Sequence, residues 1–108
     1  MINYTTPTIT LKVEDVDISS GFDVYATLEQ GKHKLTKTGN DLTLTTETVQ
    51  QHTHTIITFE LSQTESGSFD YARYVDVQVN WLDGNDKRGA TEIKTIEVMR
   101  NLLNEVIE

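Results

Sequence analysis

Apolar and polar residues alternate with a period of two along most of this chain, the period of strands that bury one face. Ile9, Leu11 and Val13 share one side of a first strand, with Thr8, Thr10 and Lys12 on the other. Pro7, just ahead of them, suits a strand start or an exposed edge. After Ser20-Gly21 comes the clearest alternation, with Phe22, Val24, Ala26 and Leu28 facing one way and Asp23, Tyr25, Thr27 and Glu29 the other. It predicts a central strand. Gln30-Gly31-Lys32 turns the chain into a short strand around Leu35, and Thr38-Gly39-Asn40-Asp41 turns it again toward Leu42 and Leu44. The middle portion therefore reads as a meander of small hairpins.

Residues 53 to 61 set Thr55, Ile57, Phe59 and Leu61 on one face against His54, Ile56, Thr58 and Glu60 on the other, which predicts a further inner strand. In Ser62-Gln63-Thr64-Glu65-Ser66-Gly67 a capping residue, an acid behind it and a stopping glycine predict one helical turn, a crossover between sheets. Val75, Val77, Val79 and Trp81 then alternate with Tyr74, Asp76, Gln78 and Asn80, and Asp83-Gly84-Asn85-Asp86 predicts a tight hairpin into the last strand. There the apolar parity shifts between Ile93 and the later pair Ile96 and Val98, as a one-residue bulge or burial on both faces would produce.

These segments predict an all-β, two-sheet antiparallel sandwich over residues 1–100, followed by an apolar C-terminal tail, 101–108. Leu102, Leu103, Val106 and Ile107 are not required to close the sandwich. At helical spacing they form one apolar stripe, so the tail is expected to be helical or strand-like. It either folds back over its own sheet or, as the protein-interaction site, docks on a neighbouring subunit.

Composition narrows the function. A length of 108 residues fits one domain, and the absence of cysteine excludes disulfides, thiolate metal sites and a cysteine nucleophile. Seventeen acidic against nine basic residues give a net charge of −8, which repels phosphate backbones and argues against nucleic-acid binding. No apolar run approaches the roughly 20 residues that span a bilayer, and the first residues lack the basic and apolar regions of a secretory signal. Cytoplasmic synthesis without membrane insertion is the expectation. The one basic cluster, Lys32-His33-Lys34 with Lys37, reads as a solvated strand face rather than an anion site.

Candidate chemistry is sparse. His52 and His54 sit two apart, so a strand presents both from one face, the spacing of some metal pairs, but no third ligand stands at a readable spacing. Neither a metal nor a cofactor is predicted. Asp15 and Asp17 with Glu14, or Asp83 with Asn85 and Asp86, offer oxygen ligands for a hard cation, though each group is first a turn. No spacing provides an activated nucleophile or a pair of facing carboxylates, so an enzyme is not expected. Trp81 reads as a core plug rather than a sugar platform.

Several segments carry a resemblance: Ser19-Ser20-Gly21-Phe22-Asp23-Val24-Tyr25 with Leu28-Glu29-Gln30, Leu61-Ser62-Gln63-Thr64-Glu65, Val75-Asp76-Val77-Gln78-Val79-Asn80-Trp81, and Arg100-Asn101-Leu102-Leu103. Through them the chain resembles small tail-associated proteins of phages and prophages of Gram-positive bacteria, related to the immunoglobulin-like N-terminal domain of baseplate upper proteins. The resemblance implies an immunoglobulin-like sandwich of about seven strands. It also implies a non-enzymatic virion component located in the tail, acting through homo-oligomeric or tail-protein contacts, with no catalytic residues carried over. In that family a longer trimerising or receptor-binding region usually follows, where this sequence has the eight residues 101–108. The alternative function is a carbohydrate-binding or adhesin module, which needs exposed aromatics gathered on one face; Tyr4, Tyr25, Tyr71, Tyr74 and Trp81 are the supply.

Overall fold

A computed structural model describes residues 1–108. Eight strands form in chain order: β1 (Thr8–Val13), β2 (Asp23–Gln30), β3 (His33–Thr38), β4 (Thr43–Val49), β5 (His52–Glu60), β6 (Arg73–Leu82), β7 (Arg88–Ala90) and β8 (Lys94–Val98). One short helix, α1 (Gln63–Gly67), and a single 3-10 turn at Gly39–Asp41 complete the regular structure. The strands make two antiparallel sheets, β1-β5-β4 and β3-β2-β6, the latter extended along its far edge by β7 and β8, which both pair with β6. The all-β sandwich read from the alternation is the observed architecture.

The inward residues of the two sheets make the core. Ile9 and Val13 of β1, Ile57 and Phe59 of β5, Val24, Ala26 and Leu28 of β2, and Val75, Val77 and Val79 of β6 are buried, as their alternation predicts. Ile18, Leu42, Leu61, Phe69 and Val98 close the ends of the same cluster. Phe22 lies just before β2 and is only half-buried. A bulge also resolves the parity shift near the end of the sequence. Asn80 pairs with Ala90 while Val77 pairs with Lys94, so Gln78 and Val79 face three residues, Thr91, Glu92 and Ile93. Thr91 repairs the break: its hydroxyl accepts from the Val79 amide at 3.1 Å and its amide donates to the Val79 carbonyl at 2.9 Å. Ile93 is left exposed, while Val98 is buried on the inner face.

Two expectations need correction. The stretch after β2 is not a meander: β2 and β3 form a hairpin, but the 3-10 turn carries the chain to the other sheet, where β4 pairs with β5. Leu35 and Leu44 then both pack against the core from opposite layers, which a hairpin within one sheet would forbid. The last loop, Asp83 to Lys87, is also wider than a tight turn. Asp83 organises it, its carboxylate accepting from the Asn85 and Lys87 amides at 2.8 and 3.0 Å. Its amide donates to the Lys87 carbonyl at 3.0 Å.

The crossovers are held by named side chains. Ser62 caps α1 as foreseen, with a full capping box: the Ser62 hydroxyl accepts from the Glu65 amide and the Glu65 carboxylate accepts from the Ser62 amide. The loop from β1 to β2 is pinned by Thr55, wholly buried on the core face of β5, which accepts from the Ile18 amide at 2.9 Å and donates to the Val16 carbonyl at 2.8 Å. Gln30, also buried, bonds both backbone groups of Asp70, donating at 3.0 Å and accepting at 2.7 Å. No buried side-chain polar atom is left without a partner.

Candidate functional site

The largest gathering of exposed apolar side chains lies where the two terminal segments meet. Ile2 forms a parallel bridge with Met99, and the amides of Asn3 and Met99 donate to Met99 and Met1 carbonyls at 3.1 and 2.7 Å. Asn3 is 4% exposed, and its side chain and carbonyl accept from the Asn101 amide and side chain, both at 3.0 Å. From this clamp residues 102–108 run without regular structure toward α1, where the Gln63 side chain bonds both backbone groups of Ile107. The tail is therefore tethered at both ends of its path. Between and around the tethers Leu102, Leu103, Val106 and Ile107 stay exposed, Leu102 most of all at 87%.

The predicted helical or strand-like tail, with its single stripe, does not form. Asn101 accounts for the difference: its side-chain oxygen accepts from the Leu103 amide at 3.1 Å, a local turn that competes with helix initiation. The four apolar residues remain a surface, but an irregular one.

The histidines sit on the outward face at the far end of β5, where the structure brings Asp15 to them. The Asp15 carboxylate lies 3.0 Å from Nδ1 of His52, and the Asp15 amide donates to Nδ1 of His54 at 3.0 Å. Accepting that bond fixes the proton of neutral His54 on Nε2. No group of three or more His, Asp or Glu side chains is arranged to hold a metal. The other oxygen clusters are turns. Asp17 accepts from the Ser19 hydroxyl and amide, which hold its carboxyl below the usual carboxylate range.

The basic cluster disperses over both faces of β3. Lys34 pairs with Glu29 at 3.1 Å on the outer face, whereas Lys37 turns inward to meet Glu65 at 2.8 Å, their side chains 14% and 25% exposed. Burial pushes the Glu65 carboxyl up, but the hydrogen bonds from Lys37 and Ser62 and the Lys37 charge outweigh it, so it stays below its ordinary value. His33 bonds Ser68 at 2.8 Å and packs its ring against Phe69.

Of the five candidate aromatics only Tyr25 and Trp81 come to one groove. Trp81 lies over Gly89, where an added methyl group would come within 2.3 Å of the indole, so it plugs the end of the sandwich against the neighbouring strand. Tyr4 lies in the same way over Gly67. Tyr25 and Tyr74 share the outer face of the larger sheet, but Tyr25 stands opposite Asn80, leaving Tyr74 about 20 Å farther along β6 at roughly 3.3 Å per residue. Tyr71 is in the preceding loop, with the Arg100 guanidinium 6.0 Å from its ring centroid. Tyr25 and Trp81 both line an open groove of about 340 Å³, bounded also by Thr27, Thr36, Asn80, Leu82 and Arg88.

Asn3, Gln30 and Gln63 were invisible as functional positions in the sequence, because each acts on a backbone group far away in the chain and belongs to no periodic pattern. No family model matches the chain, and neither does any curated protein.

Proposed function

We propose that the chain is a non-enzymatic structural protein of a phage or prophage virion, a tail or baseplate module for assembly or attachment that works through protein–protein contacts. One observation carries the reading. Of the eleven large apolar residues that are exposed, six (Ile2, Met99, Leu102, Leu103, Val106 and Ile107) belong to the terminal segments, so the apolar surface is concentrated rather than scattered. Its backbone is already tethered through Asn101 and Gln63, which lowers the ordering cost of docking it on another subunit. The strand order supports the immunoglobulin-like part of the reading: β1-β5-β4 facing β3-β2-β6 with its β7 and β8 extension matches a B-E-D sheet facing a C′-C-F-G sheet.

Tail particles purified from a strain carrying the gene test this directly. Mass spectrometry should find the chain in the particles. Leu102→Ser combined with Leu103→Ser should remove it from them while leaving the melting temperature of the purified protein unchanged. Particles that never contain the wild-type chain defeat the proposal. A glycan-array signal that disappears in Tyr25→Ala would instead favour the carbohydrate-binding alternative, for which the groove beside Tyr25 is the supporting feature.

A further inference from the structure

A two-sheet sandwich has four edges, and three of them here are guarded. The β3 edge carries Lys34 and Lys37 and is crossed by the α1 segment through the Lys37–Glu65 and His33–Ser68 contacts. The β7 and β8 edge is broken by the bulge at Thr91, carries Arg88 and Lys94, and is covered at its end by the Ile2–Met99 bridge. The β1 edge begins after Pro7 and carries Lys12. Proline, lysine, bulges and covering segments are the usual devices against edge-to-edge pairing.

The β4 edge has none of them. Its seven residues, Thr43-Leu44-Thr45-Thr46-Glu47-Thr48-Val49, pair only with β5 and include one charge, four threonines and an exposed valine. Which backbone groups it offers follows from the hairpin. Gln50 and Gln51 both have positive φ, 50° and 68°, and join the facing pair Val49 and His52 in a two-residue turn. The pair flanking such a turn exchanges both its hydrogen bonds, so Thr43, Thr45, Glu47 and Val49 bond to β5. Leu44, Thr46 and Thr48 then direct their N–H and C=O groups outward.

We infer that β4 is a homodimer interface, pairing antiparallel with β4 of a second copy about a two-fold axis at Thr46. This register alone gives every outward residue an outward partner: Thr46 faces its own copy, and Leu44 faces Thr48 in both directions. Glu47 then stands beside Thr45 and Val49 beside Thr43, whereas a shift that set Thr46 opposite Thr48 would bring Glu47 against Glu47. The product is a continuous six-stranded sheet, β1-β5-β4-β4-β5-β1. It ends at guarded edges, so association closes at two. The second copy is favoured over a foreign strand because the edge complements itself in length, bonding pattern and charge. A charge of −8 on each copy opposes association at low salt, so the dimer strengthens as salt is added. The inference needs only this chain and is independent of the virion proposal.

Sedimentation across a concentration series tests it. The wild-type chain should show a monomer–dimer equilibrium that survives removal of residues 101–108. In Thr46→Lys, which opposes two lysines at the axis on an exposed position, the dimer should be lost while the melting temperature holds. The chain has no cysteine of its own, so Thr46→Cys gives a second readout: mild oxidation should yield a disulfide-linked dimer, because a hydrogen-bonded antiparallel pair holds its Cα atoms about 5.5 Å apart. Lys34→Cys on the guarded β3 edge should not cross-link. A chain that stays monomeric at every concentration, or a dimer that persists in Thr46→Lys but disappears with the tail, overturns the interface whether or not the protein is found in particles.

Discussion

Strand β5 has Ile56, Ile57 and Phe59 among nine residues and the tail has four large aliphatic side chains among the eight residues 101–108, yet the less apolar of the two segments is the one that enters the core. In β5, Ile57 and Phe59 are buried and the polar Thr55 is buried with them. In the tail, Leu102 and Ile107 are mostly exposed, and Leu103 and Val106 are about half exposed. The difference lies in the backbone. Each β5 residue from Thr55 to Thr58 has neighbours on both sides, β1 and β4, so the strand enters the core with its peptide groups paired. The tail has only the Asn3, Asn101 and Gln63 side chains to bond to. Apolar residues are buried where their peptide groups are also paired, and the tail keeps its apolar groups available because little else pairs with it.

That contrast is tested most strongly at Phe59, 3% exposed at the centre of the sandwich. Phe59→Ala should cost about 3–5 kcal/mol, read by denaturant titration, whereas Leu102→Ala should leave the midpoint where it was. A smaller loss is expected at Thr55. Thr55→Val keeps the shape but leaves the Ile18 amide and the Val16 carbonyl without their partner, so about 1–3 kcal/mol should be lost. An unchanged stability would mean that the crossover loop does not depend on β5.

Acid should act through the half-buried pair between β3 and α1. The Glu65 carboxyl lies below its ordinary value of 4.5, so its contribution to stability is complete above that pH and is lost as the pH falls through the lower folded value. Lys37→Met removes the main partner and raises the carboxyl toward 4.5, so its melting temperature should fall less steeply below pH 4.5 than that of the wild type. The smallest effect belongs to the tail tether. Gln63→Ala should cost under about 1 kcal/mol and show chiefly as faster hydrogen exchange at the Ile107 amide. Slow exchange at Ile107 in that variant would show that the tail is held by more than this side chain.

Much of this architecture was legible in the sequence. Alternation identified the buried faces of β1, β2, β5 and β6, Ser62 and Glu65 marked the capped turn, and the slip between Ile93 and Ile96 marked the bulge. These are local signals. A side chain's parity and a helix cap depend on residues one to four positions away, which the sequence displays side by side. The 3-10 turn was misread because a turn within a sheet and a crossover between sheets use the same residues at Thr38 to Asp41. Only the partner of β4 distinguishes them, and that partner is chosen by burial across the whole sandwich.

The candidate sites were less legible for the same reason. The sequence determined that His52 and His54 share a strand face, that the fold carries a charge of −8, and that four aliphatics follow the sandwich. Tertiary structure decided that Asp15 meets both histidines, that Lys37 meets Glu65 of α1, and that Asn101 turns the tail away from a helix. It also left β4 as the bare edge. Hydrogen bonds between residues up to 98 positions apart, as between Asn3 and Asn101, form only after the chain has collapsed. They depend on geometry that no local pattern encodes, whereas the alternation that drives the collapse is written along the chain itself.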